Sequence, residues 1–179
     1  MKALKNLGFV LLLGVLILAL VGLFLPGAIA VERRLTVGAT PETIFPLLDN
    51  PQAFTRWSPW STPGSNIRYA FEGPVSGVGA SLHWEGGAFP MASGDYTITE
   101  VEPQQRVALR MHLPLLGKTH STLELYPGPD AGSTQVAWRF HDDVGFNLLR
   151  RLLWLVVESS LGPQFERGLA NLQAVAERR

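Results

Sequence analysis

The sequence predicts an α+β domain, a strongly twisted antiparallel sheet wrapped around one long C-terminal helix, carried on a single N-terminal transmembrane helix. Three observations predict it: an uncharged run of 24 residues from Leu7 to Ala30, period-two alternation in six stretches between Ile67 and Phe140, and a helical-period segment from Phe146 to Glu177.

The uncharged run LGFVLLLGVLILALVGLFLPGAIA follows Lys2 and Lys5 and precedes Glu32, Arg33 and Arg34. At about 1.5 Å per residue it reaches roughly 36 Å, enough for a hydrocarbon core of about 30 Å. Leu7, Leu13, Leu18 and Phe24 represent its lipid-facing side chains. A cleaved signal peptide is the rival reading, with Pro26-Gly27 breaking the helix and Ala28-Ile29-Ala30 as a small-x-small cleavage site. The apolar run of 19 residues from Leu7 to Leu25 exceeds a usual signal h-region of about 7–15, which favours a retained anchor. Lys2 and Lys5 put the N-terminus in the cytoplasm and the rest of the chain on the extracytoplasmic side of the inner membrane, single-pass; Arg33 and Arg34 count against that orientation. The chain thus divides into an anchor at residues 1–30, whose partner is the lipid bilayer, and a domain at residues 31–179.

Within the domain, Val31 to Val37 reads as a first strand. Thr40-Pro41-Glu42 offers a hydroxyl N-cap with proline at the first helical position, and Ile44, Phe45, Leu47 and Leu48 give that helix an apolar face. Asn50-Pro51 interrupts it, and Gln52 to Arg56 form another helical turn. After the segment Trp57-Ser58-Pro59-Trp60-Ser61-Thr62-Pro63-Gly64, alternation sets in. Ile67, Tyr69 and Phe71 share one face of a strand; Leu82 with Trp84, Tyr96 with Ile98, Val107 through Leu113, Leu123 with Leu125, and Val136 through Phe140 follow. Gly- and Pro-bearing links separate these strands, and the pattern gives a sheet with one dry and one wet face. The closing segment places Leu148, Leu149, Leu152, Leu153, Val156 and Val157, then Phe165, Leu169, Leu172 and Val175, at helical spacing.

Composition excludes several functions. The 15 basic and 15 acidic side chains cancel, and setting aside Lys2 and Lys5 leaves 13 basic against 15 acidic, a net charge of −2 on the domain. That balance argues against a nucleic-acid partner. The absence of cysteine excludes disulfides, thiolate metal sites and a cysteine nucleophile.

The string Val31-Glu32-Arg33 leading into Ala39-Thr40-Pro41-Glu42, then Trp57-Ser58-Pro59-Trp60, and finally Gly162-Pro163-Gln164-Phe165-Glu166-Arg167-Gly168-Leu169-Ala170-Asn171-Leu172 resembles the SRPBCC, or START-like, superfamily. More narrowly it resembles membrane-anchored bacterial proteins of the polyketide cyclase/dehydrase type. The resemblance covers nearly the whole chain after residue 30. It implies a helix-grip fold, in which the sheet and the long helix enclose a cavity for an apolar ligand, and it leaves the reaction open.

Trp57, Trp60, Tyr69, Trp84, Tyr96 and Trp138, with Leu109, Met111, Phe140 and the small polar Ser121, are the candidate lining of such a cavity. Each ring can equally be ordinary core. His83, His112, His120 and His141 alternate away from the apolar positions, as do Glu72, Glu85, Asp95, Glu124 and Arg110, so they belong to the wet face as cross-strand ion pairs. The His141-Asp142-Asp143 cluster at a strand end reads as solvated. No general acid or base is placed in a cleft, no metal set converges, and Gly73, Gly77 and Gly79 lie between strands rather than in a phosphate loop. No cofactor is expected. Because the domain follows the anchor without a linker, two readings stay open for the Trp57–Trp60 loop and the start of the last helix: an apolar rim that touches the bilayer, or, the favoured one, residues that simply pack onto the sheet.

Two function classes stay open: a membrane-anchored binding or transfer module for a hydrophobic small molecule or lipid, and a cyclase- or dehydratase-like enzyme acting on an apolar substrate. A cavity above about 300 Å³ with polar side chains meeting at one point favours the enzyme, and a smooth apolar cavity the carrier. A filled core leaves a structural or partner-binding domain.

Overall fold

The computed structural model describes residues 2–24, 27–61, 66–86, 92–114, 117–145 and 147–178, leaving aside the side chains of residues 2–5, 7, 10, 11, 15, 19, 29, 149, 150 and 153–158. The expected helix breaker Pro26, Thr62 to Gly64, the helix-start residue Phe146, the side chain of Leu7, and those of Leu149, Leu153, Val156 and Val157 lie outside the described residues.

The element order is α1 (Lys2–Phe24), β1 (Ala28–Val37), α2 (Pro41–Leu48), α3 (Pro51–Phe54), β2 (Arg68–Glu72), β3 (Ser81–Glu85), β4 (Ser93–Glu102), β5 (Arg106–Leu113), β6 (Gly117–Pro127), β7 (Thr134–Asp143) and α4 (Leu148–Ala176). All strands join one seven-stranded sheet in the order β1-β7-β6-β5-β4-β3-β2, antiparallel throughout. Short connections force β2 to β7 into a meander, since tight turns can only join antiparallel neighbours. The helical excursion through α2 and α3 frees β1 to pair with β7 at the far edge.

Alternation translates directly into burial. Val107, Leu109, Met111 and Leu113 of β5 face inward, as do Val136, Trp138 and Phe140 of β7, and α4 lays Leu161, Phe165, Leu169, Leu172 and Ala176 against them. Those α4 positions recur every three to four residues, the helical period that keeps one stripe on the sheet. Tight seating needs Gly168: a Cβ there would stand 2.6 Å from the Trp138 ring and 3.0 Å from Pro59 Cδ.

Three expectations are corrected. β1 begins at Ala28, three residues before Val31, so residues 28–30 belong to the sheet and not to the anchor: Ala28, Ile29 and Ala30 pair with Asp143, Asp142 and His141. Phe71 is 42% exposed rather than inward, because β2 is an edge strand of the sheet. Thr40 occupies the N-cap of α2 without a side-chain cap bond, its hydroxyl lying 3.4 Å from that of Thr43 instead. Asn50 is the working cap: its Oδ1 accepts from the Gln52 and Ala53 amides at 2.8 and 3.1 Å, which starts α3 at Pro51.

A further expectation concerns α1. It forms a 23-residue helix as expected, with Leu12 68%, Leu13 45%, Leu18 54% and Phe24 89% exposed. Among the described residues, however, no helix is long and apolar enough to cross a membrane, so the transmembrane assignment is without support on that measure.

Candidate functional site

The one-sided wall of aromatic and aliphatic side chains leaves a gap between the turn after α3 and the β2–β5 half of the sheet. Phe54, Ser58 and Trp60 border it from the α3 side, Ile67 and Tyr69 from the edge strand and its approach, and Leu82, Trp84, Tyr96 and Met111 from the inner faces of β3, β4 and β5. Register brings these together: Tyr69 lies opposite Trp84, and Tyr96 lies between Leu82 and Met111. Gly94, the partner of Trp84, makes room for that ring, since a Cβ there would come within 2.5 Å of it.

The cavity's volume is ≈ 20 Å³, room for about one water. It falls far short of 300 Å³ and stands close to a filled core. Among the described residues, no carboxylate, imidazole or amine borders it. Its polar side chains are hydroxyls, besides the indoles of Trp60 and Trp84. Ser58 Oγ accepts from the Trp60 amide at 3.3 Å, and the Tyr69 and Ser61 hydroxyls bond each other. Tyr96 is 2% exposed, and burial pushes its phenol far above the ordinary value, so it stays protonated as a potential donor. Among the described residues its hydroxyl has no hydrogen-bond partner.

Of the expected lining, Trp60, Tyr69, Trp84, Tyr96 and Met111 border the cavity, whereas Trp57, Leu109, Ser121, Trp138 and Phe140 do not. Trp57 is fully buried and donates Nε1–H to the Leu47 carbonyl at 2.8 Å, which also removes it from any bilayer-touching rim. Trp138 stacks on Phe165 with ring centroids 4.2 Å apart and donates Nε1–H to Ser121 Oγ at 3.0 Å. Ser121 in turn donates to the Arg139 carbonyl at 2.9 Å, so its hydroxyl is spent on the scaffold. Leu109 and Phe140 are packed into the core. Phe54, Ser58, Ile67 and Leu82 were missed as lining. Leu82 shares the face of Trp84 and could have been found; the others sit in a turn or before a strand, where no period reports orientation.

The motifs behind the family resemblance are packing devices. Asn171 Nδ2 donates to the Trp57 carbonyl at 3.3 Å, Trp57 meets Trp138 edge-on at 5.4 Å, and Glu166 pairs with Arg33 at 2.7 Å.

The wet face follows the expected parity. His83, His112, His120 and His141 are exposed; His83 sits 3.5 Å from Glu85 and His112 3.4 Å from Asp95. Arg106 bonds Glu100 at 2.7 Å, and Arg139 bonds Glu32 at 2.7 and 2.8 Å. Hydrogen bonds from Arg34 and Arg139 hold the Glu32 carboxyl below its ordinary value. Among the described residues, no group of three His, Asp or Glu is placed to hold a metal. Asp142 departs from expectation: it is 2% exposed and not solvated. Its parity with Val136, Trp138 and Phe140 carried that signal, and the strand-end position obscured it.

Residues 28–177 match the model of the family described as polyketide cyclase / dehydrase and lipid transport. A comparison with curated proteins finds no match. Among solved structures, norcoclaurine synthase from Thalictrum flavum is 16% identical with a TM-score of 0.64, covering 83% of this chain and 92% of its own. A Staphylococcus aureus protein of unknown function is 13% identical with a TM-score of 0.62, covering 84% and 94%. A protein from Arthrobacter aurescens is 16% identical with a TM-score of 0.58, covering 84% and 87%. At such identities the likeness is one of fold, a helix-grip of curved antiparallel sheet and long C-terminal helix.

Proposed function

The chain belongs to the polyketide cyclase / dehydrase and lipid transport family, and from that premise we propose that it is a membrane-anchored module that binds, and hands on, a hydrophobic small molecule or lipid. The observation that carries this reading is the character of the cavity: among the described residues it has apolar walls, no charged group on its border, and a phenol without a partner, Tyr96, as a polar handle. Such a site holds an apolar body and orients it by one hydrogen bond. A proton-transfer enzyme needs a titratable group matched to working pH, and the buried phenol of Tyr96 is poorly suited to that, so the binding reading is preferred over a cyclase or dehydratase.

A cavity of ≈ 20 Å³ must open to take such a ligand. Trp60, Ile67 and Tyr69 are only half-buried and border the edge strand β2, where side chains can swing outward without breaking the sheet. The proposed entry therefore lies between the α3 turn and β2.

Anchoring rests on α1. Its 23 residues carry exposed leucines along their length, at roughly 35 Å for a bilayer core of about 30 Å. Cleavage after Ala30 would strip β1 of three paired residues, which supports retention of the helix. Lys2 and Lys5 favour a domain on the extracytoplasmic side of the inner membrane.

Titration with a brominated fatty acid tests the binding reading through tryptophan emission. Trp60 and Trp84 border the cavity, so quenching is expected in the native chain and is expected to fall sharply when both are replaced by Phe, leaving only what Trp57 and Trp138 behind them report. Absence of quenching, or quenching undiminished by the double replacement, would sink this reading.

A further inference from the structure

Resting on the reading of α1 as an anchor, we propose that the end of the sheet from which α1 departs lies against the lipid headgroup layer in one fixed pose, as a second membrane-contact surface. Only residues 25–27 separate α1 from β1, too few to act as a flexible tether. The junction is also clipped from three sides. The Gly27 carbonyl accepts from the Val144 and Gly145 amides at 2.9 and 3.1 Å. Arg151, 7% exposed on the first turn of α4, donates Nε–H to the Gly145 carbonyl at 2.7 Å. Its Nη1 donates to the Gly22 and Leu23 carbonyls at 3.2 and 3.4 Å. A guanidinium there satisfies carbonyls that the helix end leaves without partners and opposes the negative end of its dipole. Anchor, β7–α4 turn and α4 are thereby one body.

Register then dictates what this body presents. Ala28 pairs with Asp143, His120 with His141, Lys118 with His112, His112 with Asp95 and Asp95 with His83, while Glu85 and its partner Arg68 lie two residues beyond His83 toward the same end, so one row of strand ends runs beside the α1 exit. Lys118 of that row is exposed, and Arg68 and His112, also exposed, stand beside Glu85 at 2.9 Å and Asp95 at 3.4 Å, so this end carries both signs of charge and suits zwitterionic headgroups rather than a purely anionic surface. Trp84, on the cavity wall, lies one residue from His83 of this row, so the cavity sits toward the same end. The opposite turns, at 103–105 and 128–133, are about 30 Å away along β6, by a rise of roughly 3.3 Å per residue.

The cysteine-free chain permits a clean test. Full-length Lys118→Cys and Asp130→Cys variants, each labelled with a fluorophore, are reconstituted into phosphatidylcholine vesicles containing a minor share of phosphatidylglycerol and a headgroup nitroxide lipid. Flotation with the vesicles is checked first. The expected result is flotation of both, with the label at 118 quenched several-fold more than that at 130. Adding Arg151→Met to the Lys118→Cys variant is expected to remove most of that excess. Flotation with equal quenching at the two positions overturns the fixed pose while leaving the anchor standing. Failure to float overturns the anchor and the pose with it. An excess that persists in full without Arg151 overturns the clasp. The contrast between 118 and 130 is read in chains with Arg151 intact, so it stands even if the Arg151 variant misfolds.

Discussion

Replacing Trp138 by Ala separates a scaffold residue from a ligand-binding one. The indole is 3% exposed and lies 4.2 Å from Phe165 in a parallel stack, with edge contacts to Trp57 at 5.4 Å, Trp60 at 6.1 Å and Phe54 at 6.3 Å. A buried ring of this size hides about 150–250 Å², worth about 4–6 kcal/mol at roughly 25 cal/mol per Å². Partial collapse of the hole brings the expected cost to about 3–5 kcal/mol. Ser121 adds little to this, because its hydroxyl still donates to the Arg139 carbonyl when the indole donor is gone. Each kcal/mol lowers the melting temperature of a domain this long by about 2–4 °C, giving a fall of roughly 6–20 °C. Near-UV circular dichroism of the full chain during thermal unfolding reads it, and fatty-acid quenching below the transition reads binding. The reasoning predicts a large loss of stability with affinity largely kept in the folded fraction. A drop below about 1 kcal/mol with binding abolished would refute it, and would return Trp138 to the ligand wall.

Gly168→Ala is expected to destabilise by about 1–3 kcal/mol through overpacking, since its Cβ would collide with Trp138 and Pro59; urea unfolding measures this. Tyr96→Phe is expected to keep stability within about 1 kcal/mol, because no hydrogen bond is lost in the empty protein, and to weaken binding of carbonyl-bearing ligands, read by the same quenching titration. Glu32 has a depressed carboxyl held first by Arg34 and then by Arg139. Its contribution is therefore present above the unfolded carboxylate pKa and lost as pH falls through the lower folded value. Exposure limits it to about 0–1 kcal/mol, and Glu32→Gln should flatten the acid limb of the stability profile by that amount. N-terminal sequencing of the membrane-isolated protein should read from residue 1 or 2; a start at Val31 would identify a cleaved signal.

Much of the fold was legible because a strand's period is short and unforgiving. Leu82, Tyr96, Met111 and Val136 could only face the core if their neighbours faced water, and the structure buries all four. Legibility failed where periodicity gives no vector. Trp57 and Trp60 are three residues apart in a turn, and nothing in that spacing tells that one donates to Leu47 while the other borders the cavity. Phe71 obeyed the alternation yet lies on an edge strand, a position fixed only by the order of the whole sheet. Trp138 and Ser121 were correctly read as inward, but inwardness does not distinguish lining from packing; that depends on where α4 sets down Phe165. Asp142 was misjudged because its charge and strand-end position outweighed its parity with Val136, Trp138 and Phe140, whereas in the fold it is buried.

The central claim is that the apolar cavity opens for a hydrophobic ligand. Native mass spectrometry of the full-length chain, released gently from its own membrane, tests it most directly. The account predicts a population carrying the added mass of an apolar small molecule or lipid, diminished in Tyr96→Phe and retained in Glu32→Gln. Recovery of empty protein alone under the same conditions would contradict it and leave a filled, structural or partner-binding domain.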